Sequence, residues 1–103
     1  MEKALEKALS TIIEVADPDK IILFGSRAKG DGGAGSDYDV LVLKKGVKKP
    51  RELSRKIYRN FSRIGASVDV VVSDTDQYEK QKDDPCLIYR EADKHGRLLY
   101  EKP

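Results

Sequence analysis

Residues 21–43 read IILFGSRAKGDGGAGSDYDVLVL, and the fold turns on how the two apolar ends of this stretch are joined. Ile21 to Phe24 is short, apolar and β-branched at its start, which predicts a buried strand. Val40 to Leu43 predicts a second. Between them lie a Gly25-Ser26 turn and a segment with four glycines in residues 30–35. Asp37 and Asp39 stand at the mouth of the second strand. Two carboxylates at i and i+2 on a strand point to the same face, roughly 6.5–7 Å apart along it. Like charges held that close repel unless a cation sits between them. A pair of Mg2+ ions about 3.5–4 Å apart suits the gap.

Gly25-Ser26 directly follows the first strand, and Ser26-Arg27-Ala28-Lys29 can form a short helix. Glycine permits close backbone approach, while the serine hydroxyl and the first free N–H groups of a helix face whatever lies above the strand end. Those are the parts of a phosphate cradle. Arg27 and Lys29 add positive charge there, although Arg27 could equally sit in a surface salt bridge.

Outward from this stretch, Leu5, Ala8, Leu9, Ile12, Ile13 and Ala16 recur at helical spacing across residues 1–16. Asp17-Pro18-Asp19 ends that helix, because proline pushes its predecessor out of the α region. Downstream, Lys44-Lys45-Gly46 closes the second strand and Pro50 opens a helix at a position that tolerates proline. Leu53, Ile57, Phe61 and Ile64 carry that helix to a stop at Gly65. Nine basic residues and one acidic residue fall between Lys44 and Arg63. Such a run reads as a solvated helix face or, if functional, as a surface for an acidic partner or a polyanion.

Residues 66–72 form the third predicted strand. A crossover helix makes strands two and three parallel neighbours, which brings Asp37, Asp39 and Asp69 to one end of the sheet. The short link between strands one and two favours an antiparallel pair, which carries Gly25-Ser26 to that same end. An unpaired carboxylate in a buried strand costs several kcal/mol, so Asp69 also calls for a cation. In the tail, Ser73-Asp74 begins a short helix with Gln77 at capping-box distance. Asp84-Pro85 begins another, ending at Gly96, and Leu98 to Tyr100 supply an edge strand.

Composition limits the alternatives. The 103 residues predict one domain, 1–103, with a modest core. Charged residues make up 37% and hydrophobic ones 39%, a soluble globular balance. A net charge of +2 gives no bulk argument for nucleic acid as a direct partner. Cys86 is alone, so no intrachain disulfide forms. No apolar run approaches a membrane span, and the N-terminus carries acidic residues among its apolar ones, unlike a signal peptide, so a cytoplasmic location is expected. His95, just before a glycine, reads as a helix-dipole partner, Cys86 as a packing residue, and Tyr38 as packing on the face opposite its aspartate neighbours.

Gly-Ser alone, or Asp-x-Asp alone, is ordinary turn chemistry. Their conjunction is not: Gly25-Ser26, ten intervening residues, Asp37-Tyr38-Asp39, then Asp69 after a crossover helix resembles the nucleotidyltransferase superfamily signature. The form Gly-Ser-Arg-Ala-Lys-Gly followed by Ser-Asp-Tyr-Asp-Val-Leu-Val is similar to the minimal nucleotidyltransferases. The resemblance implies an α+β nucleotidyltransferase fold, a mixed three- to four-stranded sheet flanked by helices in the order α-β-α-β-α-β-α. It implies ATP or another nucleoside triphosphate as donor and two Mg2+ ions. Asp37, Asp39 and Asp69 would be the catalytic metal ligands, with Gly25, Ser26 and Arg27 on the nucleotide. Gly32-Gly33-Ala34-Gly35 departs from the stiffer, often proline-containing segment of relatives.

Larger relatives carry a helical domain that completes the substrate site, and a partner or self-association is expected to replace it here. In the minimal group the implied partner is a small helical HEPN protein, often a toxin RNase, with the nucleotidyltransferase as antitoxin adenylylating one of its tyrosines. A non-catalytic module that neutralises a helical partner by contact is the other reading. Transfer to a small molecule such as an aminoglycoside fits less well without the extra domain.

Overall fold

The computed structural model describes residues 3–25, 37–61, 65, 67–83, 92, 94 and 96–103. Among the described residues, three helices, α1 (Lys3–Ala16), α2 (Pro50–Asn60) and α3 (Thr75–Gln81), accompany four strands: β1 (Lys20–Phe24), β2 (Tyr38–Leu43), β3 (Val68–Ser73) and β4 (Arg97–Glu101). The strands form one mixed sheet in the order β3-β2-β1-β4. β1 runs antiparallel to β2 and β4, while β2 and β3 are parallel. The expected α+β architecture is therefore present, with the edge strand of the tail pairing on β1. Among the described residues, no helix is long and apolar enough to cross a membrane.

Alternation along the strands divides the core in two. Ile21, Leu23, Tyr38, Val40, Val42, Val68, Val70 and Val72 face one side, where Leu5, Ala8, Leu9, Ile12 and Ala16 of α1 and Ile57 of α2 pack on them. Ile22, Leu41 and Leu43 face the other, where Tyr78 of α3 and Ala92 are buried with them. Tyr38 is 3% exposed on the first of these faces, so it packs away from its aspartate neighbours as expected.

Asp17 closes α1 with φ of +46°, in the left-handed region, and its N–H donates to the Ile13 carbonyl at 3.0 Å. Lys44 Nζ then donates to the carbonyls of Ala16 (2.8 Å) and Asp17 (3.1 Å), satisfying acceptors that a helix end leaves open. Asp19 Oδ2 accepts from the Lys45 N–H and the Thr75 hydroxyl, each at 2.7 Å. Asp74 caps α3 by accepting from the Gln77 N–H at 3.0 Å, and its other oxygen accepts from the Gly46 N–H at 2.7 Å. Only half of the expected capping box forms, because the Gln77 amide reaches forward to Gln81.

α2 stops at Asn60 rather than continuing to Gly65. Phe61 turns to extended backbone (φ −71°, ψ 130°), and its ring packs edge-on against Tyr58 at 5.9 Å. The helix is still long enough to cross the sheet. It also covers the outer edge of β3: the Val70 N–H donates to the Tyr58 hydroxyl at 2.6 Å, and Ser54 Oγ donates to the Val70 carbonyl at 3.5 Å. Such covering blunts an edge strand that would otherwise recruit another chain. Gly96 marks a tight approach, since a Cβ there would run into the Ala92 carbonyl oxygen and sit 2.6 Å from Ile22 Cγ2.

Candidate active site

Register fixes the geometry of the carboxylates. Phe24 pairs with Asp39 across β1 and β2, and Asp39 pairs with Asp69 across β2 and β3. Adjacent strands lie about 4.8 Å apart, so Asp39 and Asp69 stand side by side. Both share a face with Leu41, Leu43 and Val71, opposite the face covered by α1 and α2. Asp37, two residues before Asp39, is exposed at the same end. The strands thus bring all three aspartates to one end and one face of the sheet, next to the turn that leaves β1.

Gly25 begins that turn with φ of +77°, and a Cβ placed on it would lie 2.5 Å from Asp39 Oδ2. A side chain there would fill the space that the Asp39 carboxylate occupies, and the left-handed backbone would strain any other residue. The sequence suggested that this glycine lets phosphate approach; the structure adds that it makes room for Asp39. Ser26, Arg27, Lys29, the glycine-rich segment, Cys86 and His95 lie outside the described residues.

The electrostatics single out Asp39. Burial raises its carboxyl above the ordinary aspartate value, and the charges of Asp69 and Asp37 push it further up. Asp19, at the opposite end of the sheet, moves the other way: the Thr75 hydroxyl bond lowers it most, opposed by burial and aided by the Lys45 N–H, Lys102 and Lys44. The two acids show how the chain treats a carboxylate whose role is structural and one that it leaves facing like charge. Asp69 is exposed, not buried as its strand suggested, because β3 is an edge strand. The desolvation argument for a cation therefore applies to half-buried Asp39, and reaches Asp69 only through their mutual repulsion.

The donor set suits a hard divalent cation. Three carboxylates share one charge field, and Gly25 lets the backbone come close to one of them without displacing it. As the side chains stand, no three Asp, Glu, His or Cys residues among those described converge closely enough to ligate one ion. Strand register supplies the proximity, and side-chain rotation has to supply the rest.

Residues 6–103 match the family described as Polymerase beta, Nucleotidyltransferase. A protein of Methanocaldococcus jannaschii named "Putative protein adenylyltransferase" is 39% identical over 71 residues, covering 69% of this chain and 70% of that protein. Among solved structures, a "putative nucleotidyltransferase" from Sulfolobus solfataricus superposes with a TM-score of 0.59 at 26% identity, over 99% of this chain and 90% of that one. A toxin-antitoxin complex with AMP-PNP gives 0.55 at 20% identity, covering 94% of this chain and 73% of that one, a likeness of fold. The family match spans both strands that carry the aspartates, the turn after β1 and the helices that hold them in register. The chain belongs to the polymerase beta nucleotidyltransferase family and is a nucleotidyltransferase.

Proposed function

We propose that the chain transfers AMP from ATP to a hydroxyl of a partner protein, a tyrosine on a small helical HEPN-type toxin, and so acts as its antitoxin. The observation that carries this reading is the register that sets Asp39 beside Asp69, with Gly25 closed against Asp39. Support for a protein acceptor comes from the relative named as a protein adenylyltransferase, and for a toxin partner from the toxin-antitoxin structure with AMP-PNP.

Asp37, Asp39 and Asp69 would hold two Mg2+ ions, which when bound neutralise phosphate charge and polarise the reacting oxygens. The turn at Gly25, with Ser26 and Arg27, would grip the β- and γ-phosphates and point the α-phosphorus toward the strand ends. Asp69, the most accessible member of the adjacent pair, takes the proton of the acceptor hydroxyl at a carboxylate oxygen. The freed oxygen bonds to the α-phosphorus, the bond to the bridging oxygen breaks, and pyrophosphate leaves with its electron pair. Asp39, raised by burial and then by the charges of Asp69 and Asp37, is a carboxyl whose ionisation a bound cation favours.

The test is incubation with α-labelled ATP, Mg2+ and the product of the neighbouring gene, comparing wild type with Asp37→Asn. Label on the partner with wild type alone supports catalysis. Protection of cells from the partner by both proteins, without label, overturns it in favour of neutralisation by contact.

A further inference from the structure

The basic run between β2 and α2 does not serve the carboxylate end. Lys44 to Lys49 follow the C-terminal end of β2, whereas Asp37 and Asp39 stand at its start, and α2 lies on the face away from them. Here a groove of about 440 Å3 opens between the β2–α2 connection and the helix. Its walls are Lys48, Lys49, Lys56 and Arg59, all exposed, and its floor includes the half-buried apolar side chains of Val47 and Leu53. Lys44 also borders it but is committed to the end of α1. Glu52 is the acidic residue of the lining, and it approaches Lys49 at 3.9 Å with both side chains well exposed, a contact of little weight.

Cations around an apolar floor select an occupant. A polynucleotide would use the cations but not the floor, and no aromatic side chain in the lining offers a base a stacking platform. An acidic peptide segment carrying apolar side chains uses both. We infer that this groove is a second docking site, for an acidic amphipathic segment of a partner protein, separate from the carboxylate end. A partner held there leaves Asp37, Asp39 and Asp69 uncovered, so docking and catalysis are separable properties of one chain. The inference does not depend on the acceptor being a tyrosine or on the partner being a toxin.

The experiment uses the whole chain and three fluorescent probes at physiological salt: a helical peptide of alternating glutamate and leucine clusters, oligoglutamate of equal charge, and single-stranded RNA. Fluorescence anisotropy should show the amphipathic peptide binding at least tenfold more tightly than either other probe. Lys48→Glu with Arg59→Glu should weaken it at least tenfold, and the milder Lys48→Ala with Lys56→Ala by a smaller factor. Both variants should remain folded, with at most a small fall in melting temperature from reversing Arg59 in the last turn of α2, and Lys48→Ala with Lys56→Ala should keep the wild-type value. Amide NMR shifts on titration should centre on residues 47–59, with residues 37–39 unmoved, and Asp37→Asn should bind the peptide as wild type does. Equal or tighter binding of RNA, equal binding of oligoglutamate, indifference to the charge changes, or shifts centred on the aspartates would each overturn the inference.

Discussion

Two residues at the strand ends, Gly25 and Asp39, lie against each other, and the proposed site depends on both. Gly25→Ala would add a methyl group 2.5 Å from Asp39 Oδ2 at a φ of +77°. The backbone conformation alone costs about 1–2 kcal/mol for a non-glycine residue, so thermal melting should fall, and nucleotidyl transfer should fall with it as Asp39 is displaced. Asp39 itself makes a prediction in pH. Its carboxyl is raised in the folded chain, so its favourable contribution is full below the ordinary value of 3.8 and is lost as pH rises through the raised value. Asp39→Asn should therefore make the metal-free protein more stable than wild type at neutral pH, with the difference shrinking toward acid. Urea midpoints in EDTA across that range measure it, and a difference independent of pH would contradict the assignment. Asp19 has the opposite sign: its lowered carboxyl stabilises the fold above 3.8 and loses that contribution as pH falls through the lowered value. The spacing of the aspartates was legible in the sequence because strand alternation is local. The closeness of Gly25 to Asp39 was not, since it depends on which residues face each other across β1 and β2.

At the scale of elements, the sheet and its supports follow from patterning, and the departures have identifiable causes. α1 was readable from its apolar period and its Asp17-Pro18 stop. α2 was read past Asn60 because Phe61 continues the helical spacing; Phe61 instead turns to extended backbone with its ring against Tyr58, and residues 62–64 lie outside the described residues. β3 was read as already under way at Ser67, which is compatible with a strand, but the ladder with β2 begins at Val68; Ala66 lies outside the described residues. Nothing in the sequence announced that Tyr58 and Ser54 cover Val70 on the edge of β3, because side-chain contacts across distant elements leave no local signal. Ile57 is the fully buried side chain of α2, so Ile57→Ala should cost roughly 2–5 kcal/mol in chemical denaturation and loosen the β3 edge to hydrogen exchange. Asp74→Ala removes both the α3 cap and the acceptor for Gly46, and should cost about 1–2 kcal/mol with no direct effect on the carboxylate end. A loss of transfer activity larger than its loss of folded protein would show that the two ends of the sheet are coupled.

Across the whole molecule, the two ends of the sheet have different tasks. At the end where β2 finishes, Asp19 and Asp74 each accept two hydrogen bonds from backbone or hydroxyl donors, and Lys44 ties β2 to α1. At the end where β2 begins, Asp37, Asp39 and Asp69 face one another, and the charges of Asp37 and Asp69 act on Asp39 without compensation among the described residues. The hydrogen bonds at the first end tie β2 to its neighbours, and the strand register then brings the three aspartates of the proposed site together at the other. The measurement that tests this most directly is calorimetric titration of the wild-type chain with a non-hydrolysable ATP analogue, with Mg2+ and with EDTA, repeated on Asp39→Asn. Saturable binding that requires Mg2+ and is lost in the variant is the predicted result. Equal binding in EDTA, or undiminished binding by Asp39→Asn, would contradict a divalent-cation site built on these aspartates.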